Sequence, residues 1–172
     1  MKKDNWILKA FLMTFFIAII FNSISNIIID SSKYISLIII AIIFTFIGIF
    51  FDLIGTAVLT ANESTFHAKS SKKIKGSKES VKLIKNSDRI ASICNDVIGD
   101  ICGIVSGGAG ALLSIHLANV FNINLAYTTI IISSVISSTT VGGKAIGKKY
   151  AIKNSDIIIE KVGIFLSIFK KK

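Results

Sequence analysis

From Ile101 to Gly143 the chain carries no Asp, Glu, Lys or Arg. A charge-free run of that length has room for two membrane spans of about 20 residues each. The same character returns upstream. Tyr34 to Phe51 is charge-free and apolar, and the pattern continues to about Ala61, longer than a bilayer needs, so this helix is tilted, broken near Gly55 or extended into the cytosol. The residues are 52% hydrophobic and the mean hydropathy is +0.70, above the composition of a soluble domain. The expected fold is all-α integral membrane: a single domain over residues 1–172, with three to four transmembrane helices plus cytoplasmic juxtamembrane helices.

The core spans are expected at 34–61, 89–120 and 125–143. An extra N-terminal span is expected at 6–29, although Asn22, Ser23, Ser25 and Asn26 interrupt it. Lys2, Lys3 and Lys9 precede this run as in a signal peptide, but no small-residue cleavage site follows, so it reads as a retained span. A short turn at Asp30-Ser-Ser-Lys33 and another around Phe121-Asn-Ile-Asn124 separate the spans. Residues 62–88 change character: segment 62–89 holds eight Lys or Arg, has no apolar run longer than two, and is divided by Gly76. It reads as a cytoplasmic helical loop. Within it Ser77 to Asn86 sets Val81 and Ile84 apart from Lys78, Lys82 and Lys85, as in a helix lying on a membrane surface. Asp88 then offers an N-cap for the next helix. Residues 155–169 form a juxtamembrane helix before Lys170-Lys-Lys172.

Nineteen of the 20 Lys and Arg fall before Phe11, between residues 62 and 89, or after Gly143; Lys33 is the exception. By the positive-inside rule both termini and the 62–89 loop are cytoplasmic in a multi-pass protein of the cell membrane. The net charge of +10 is then directed at anionic lipid headgroups rather than nucleic acid. Cys94 and Cys102 lie about 12 Å apart along one helix, too far for a disulfide, and are expected to be buried free thiols.

Gly99, Gly103, Gly107 and Ala111 recur at four-residue intervals, the spacing of a close helix-packing face within one chain or between two. Three polar positions come out at a similar depth, towards the cytoplasmic side, when counted from the turns expected to face outward near Asp30 and Asn122: Asp52 about 27 Å from Tyr34, Asp100 about 30 Å from Val120, and Thr140 about 24 Å from Asn124. Asn95 and Asp96 stand near Asp100, and Gly55, Gly99, Gly142 and Gly143 would permit unwound helix beside these groups. Carboxylates in hydrocarbon are costly and mark ion paths, proton sites or buried pairs. An oxygen-only set of Asp, Asn, Ser and Thr suits a hard ion such as Mg2+. The plain alternative is that the acids sit solvated at the headgroup boundary.

At these residues the chain resembles the transmembrane domain of the CorB/CorC and cyclin M family of magnesium transporters. Phe50-Phe-Asp-Leu-Ile-Gly-Thr-Ala57 is similar to the family's Phe-Phe-Ser-Gly-Ser-Glu-Thr-Ala, and Leu83-Ile-Lys-Asn-Ser-Asp-Arg89 to its Leu-Leu-Glu-Asn-Pro-Asp-Arg. Ile98-Gly-Asp100 resembles its Ile-Gly-Asn, and Lys144-Ala-Ile-Gly-Lys-Lys-Tyr150 its Lys-Ser-Leu-Ala-Arg-Arg-Tyr. The resemblance implies a homodimer of three-span domains with a juxtamembrane belt, holding a cation among Ser, Asn and acidic groups. Asp52 stands where the family has Ser, Gly55 where it has Glu, Asp100 where it has Asn, Thr140 where it has a later Glu, and Gly143 where it has Pro, so negative charge is moved rather than deleted. The family's cytoplasmic CBS pair has no room before Lys172, so nucleotide-linked regulation is not expected here; a separate cytoplasmic partner could supply such a part. The expected metal ligands are Asp52, Asn95, Asp96, Asp100 and Thr140, and the expected function is transport or intramembrane binding of Mg2+. The competing expectation is a non-transporting scaffold or regulatory subunit. No enzyme activity is expected, since the sequence offers no nucleophile–base set and no His/Cys metal cluster.

Overall fold

The computed structural model describes residues 6–30 and 34–169. These are helical almost throughout: α1 (Trp6–Asp30), α2 (Tyr34–Thr60), α3 (Glu63–Ser71), α4 (Ser77–Lys85), α5 (Ser87–Ser92), a π-helix (Ile93–Ile98), α6 (Gly99–Phe121), α7 (Leu125–Lys153) and α8 (Ser155–Phe169). Runs of Ile favour strands in water, yet no strand occurs among the described residues. In lipid a single segment satisfies its own backbone only as a helix, and the chain contains no Pro to break one. Among the described residues four segments are long and apolar enough to cross a membrane: Trp6–Ser25, Tyr34–Thr60, Ser87–Phe121 and Leu125–Lys153.

Several boundaries differ from the sequence reading. α2 continues through Gly55 without a break, and α7 runs ten residues beyond Gly143. The expected unwinding at Gly142 and Gly143 therefore does not occur; irregularity appears instead as the wider π turn at 93–98. Asp88 lies inside the first turn of α5, not at its cap, which is Asn86. Of the turn expected at Asp30–Lys33, Asp30 closes α1 and residues 31–33 lie outside the described residues, as do Lys2, Lys3 and Lys170–Lys172.

The residues divide into two compact units, Met1–Ile49 with Val97–Lys144 and Phe50–Asp96 with Ala145–Lys172. In the first, Ile40, Ala41 and Phe44 of α2 pack with Ile101, Cys102, Val105 and Ala109 of α6, and Met13, Ile17 and Phe21 of α1 lie against them. Phe21 meets Phe44 edge to face at 5.5 Å. The close approaches run through glycines. A Cβ on Gly48 would stand 3.2 Å from Cys102 Cβ, while one on Gly110 would collide with Ile136 Cδ1 and one on Gly143 with Ile49 Cδ1. Around Gly103 and Gly107 a Cβ would meet nothing within 4 Å. Within the chain the four-residue repeat is therefore not the packing face at these two positions.

In the second unit, Ala57 and Val58 of α2, Phe66, Ile84, Ala91, Ala151 and Ile159 form the core. Asn62 caps α3, its Oδ1 accepting from Ser64 N at 3.1 Å, and its own N–H donates to Asp156 Oδ1 at 2.9 Å. Lys69 pairs with Glu160 at 2.8 Å. α4 is amphipathic as expected, with Ile84 buried and Lys78, Lys82 and Lys85 exposed. It packs closely on α8: Ser80 is fully buried and donates to Ile159 O at 3.0 Å, and a Cβ on Gly163 would collide with Ser80 Oγ and stand 2.7 Å from Gly76 O. Gly76 precedes α4 at φ 82°, a left-handed conformation with backbone of α8 against it, which only Gly fills without strain.

Candidate functional site

Of the five expected ligands, Asp52, Asn95 and Asp96 belong to the second unit, Asp100 and Thr140 to the first. Each set takes its surroundings from its own unit.

Asp52 is only 3% exposed. Its Oδ1 lies 3.7 Å from Lys148 Nζ on α7, within ion-pair range but beyond hydrogen-bond length. Its Oδ2 is buried and accepts no hydrogen bond from any described residue. Thr56, one turn along, does not serve it, because the hydroxyl donates to Asp52's backbone oxygen at 2.9 Å. Asn95 sits half-buried in the π-helix, and its Oδ1 is likewise buried without a hydrogen bond among the described residues. That oxygen rests on the backbone of Gly55. A Cβ there would collide with Oδ1 and stand 2.7 Å from Asn95 Cγ and 3.1 Å from Cys94 Cβ. Gly55 follows Asp52 by three residues, so both lie on one side of α2. The second unit therefore holds two orphaned acceptor oxygens, one of a carboxyl group and one of an amide, and the carboxyl group's other oxygen faces an ammonium group. Leaving a buried acceptor unpaired costs about 1–3 kcal/mol, and more for a charged one, so two in one unit call for a donor or a cation.

Asp96 is exposed in the same unit, and Asp100 is exposed on α6 in the first. Thr140 is half-buried and donates to Ile136 O at 2.8 Å. It lines a cleft of about 240 Å³ with Gly103, Ser106, Gly107, Ser133 and Ser137. Ser138 and Thr139 also donate to their own helix, at Val135 O. These hydroxyl protons are engaged within one helix turn, and the oxygens keep lone pairs towards their surroundings.

Among the described residues no three His, Cys, Asp or Glu side chains converge. His67 pairs with Glu63 at 3.1 Å in α3, and His116 stacks on Tyr34 with ring centres 5.5 Å apart. Cys94 and Cys102 are buried free thiols, as their spacing implied. The group that sequence reasoning passed over is Lys148. It stood in view within Lys144–Tyr150, but a Lys among neighbouring Lys near a span reads as a headgroup contact, and only the fold identifies its carboxylate.

No family model, curated protein or solved structure matches the chain.

Proposed function

We propose that this chain binds a divalent cation, Mg2+ by preference, within the membrane at Asp52 and Asn95, and that it carries the ion across. The observation that supports this most is the pair of buried acceptor oxygens, Asp52 Oδ2 and Asn95 Oδ1, that accept no hydrogen bond from any described residue. A hard cation is the ligand such oxygens fit: it would answer the charge of Asp52 and take Asn95's neutral oxygen as a further donor. Two protein oxygens are fewer than Mg2+ coordinates, which agrees with its habit of keeping several waters. The likeness of residues 50–57, 83–89, 98–100 and 144–150 to a magnesium-transporting domain supports the choice of ion. In this reading the protein is multi-pass in the cell membrane, with both termini and α3–α4 cytoplasmic, where their Lys would meet anionic lipid.

Thermal unfolding in detergent across a Mg2+ titration tests the site. An ion that binds only the folded state stabilises it by mass action, by about 2.7 kcal/mol at a hundredfold excess over Kd. Asp52→Asn is expected to abolish that response, while matched ionic strength from a monovalent salt reproduces none of it. An equal response in parent and Asp52→Asn removes the site. Mg2+ uptake into proteoliposomes then separates transport from binding alone.

A second reading is a homodimeric membrane scaffold without transport. It draws on Gly103 and Gly107, small residues on α6 with open space above them.

A further inference from the structure

The Asp52 carboxylate is uneven. One oxygen faces an ammonium and the other faces no donor among the described residues, although the residue is 3% exposed. Buried carboxylates held in permanent pairs are typically gripped by short charge-assisted hydrogen bonds of about 2.7–2.9 Å. Lys69 and Glu160 in this same unit form such a bond at 2.8 Å. Lys148 stops at 3.7 Å instead, and its side chain is 50% exposed. Lysine is a compact point charge on a flexible four-carbon stem, able to leave without disturbing the backbone. Lys148 thus supplies charge to Asp52 while remaining loosely held.

We propose that Lys148 is a tethered counter-cation: it neutralises Asp52 when no metal ion is bound and swings outward when one arrives. This rests on the cation-binding reading above and adds a regulatory step to it. Ion binding becomes an exchange, one ammonium out and one divalent ion in, so local charge rises by one rather than two. A carrier needs this at both ends of its cycle. Without the ion, a bare carboxylate buried in low dielectric would be costly; with the ion, an ammonium left in place would repel it. The exchange also makes lysine and ion competitors, so the resident charge lowers affinity and aids release.

The test follows the Lys148 amine itself. The parent protein in detergent is treated with a limiting amine-acylating reagent with and without Mg2+ at constant ionic strength, and labelling at each lysine is mapped by mass spectrometry, with Lys161 as reference. Labelling of Lys148 is expected to rise severalfold with Mg2+ while Lys161 is unchanged. Lys148→Met keeps the stem and removes the charge. It should melt lower than the parent without Mg2+, recover when Mg2+ is added, and bind Mg2+ roughly tenfold more tightly, a coupling of ordinary size. Should Lys148→Met not fold, the labelling experiment on the parent decides alone.

The outcomes separate the two ideas. If the parent binds Mg2+ through Asp52 but Lys148 labelling is unmoved, or Lys148→Met binds no more tightly, the exchange is overturned and the cation site stands. If neither parent nor Lys148→Met responds to Mg2+, the cation site falls, and Lys148 is only a permanent partner for Asp52.

Discussion

Gly55→Ala sets two opposing effects against each other at the Asn95 contact. In mid-helix, Ala is favoured over Gly by about 1 kcal/mol. Against this, the new methyl cannot coexist with Asn95 Oδ1 as it stands, and it would sit 3.1 Å from Cys94 Cβ. The second contact needs a shift of a few tenths of an ångström. The first is with the far end of a side chain, so Asn95 can turn away, at about 0.5–1.5 kcal/mol if it leaves its rotamer. The terms nearly cancel, and without Mg2+ the variant should melt within about 4 °C of the parent, since 1 kcal/mol corresponds to about 2–4 °C at this chain length. What changes is where the Asn95 oxygen points. If that oxygen is a ligand, the Mg2+-dependent rise in Tm, about 5–11 °C in the parent at a hundredfold excess, should shrink markedly in the variant. Differential scanning fluorimetry at fixed ionic strength measures both quantities. A full Mg2+ response in Gly55→Ala would refute Asn95 as a ligand. A fall of more than about 10 °C without Mg2+ would refute the premise that Asn95 yields.

Gly163→Ala should destabilise the second unit by about 1–3 kcal/mol, because its methyl meets Ser80 and the Gly76 carbonyl; amide exchange localised to α4 and α8 would report it, and unchanged protection would count against the contact. Gly103→Leu should leave the folded chain intact, having open space, but abolish self-association if a second copy packs there; cross-linking in detergent reads this, and an unchanged oligomer removes that face from the dimer. Gly110→Leu, by contrast, should lower Tm whatever the oligomeric state, since Ile136 already fills that position. In a background lacking Cys94 and Cys102, Lys75→Cys should be labelled only from the cytoplasmic side and Asn122→Cys only from outside; external labelling at 75 would invert the topology.

The helices were largely legible because hydropathy and charge report where backbone must satisfy itself. α4 is legible to within one residue from Val81 and Ile84 set against its Lys. Other features depend on partners that periodicity does not encode. The repeat Gly99, Gly103, Gly107 says that small residues share a side of a helix, not that a neighbour packs closely along all of it; Gly99 lies buried against Gly48, but Gly103 and Gly107 face open space, and other close approaches run through Gly110 and Gly143. Asp52 stands out in the sequence because a carboxylate in an apolar run is anomalous in any fold. Lys148 carried no such signal, since its significance lies in one distance to α2. The π-helix also left no mark in composition: Ile93 to Ile98 reads as ordinary helix until Asn95 is seen against Gly55.

The seam between α4 and α8 bears on how the protein is made. Ser80 is covered by a helix that begins at Ser155, some 70 residues after α4 ends at Lys85, and Ile159 of that helix completes the core that holds Ile84 and Phe66. At about 5–20 residues per second, the ribosome needs roughly 4–14 s to cover that distance. Through that interval the apolar side of α4 has no intrachain cover from α8, while its Lys-bearing side suits a membrane surface. Synthesis thus sets an order in which α3 and α4 are made first and the seam closes only once Ile159 and Gly163 have emerged. Stalling before Ile159 would leave a nascent chain in which Ser80 has no carbonyl of α8 to donate to and the core of the second unit lacks Ile159.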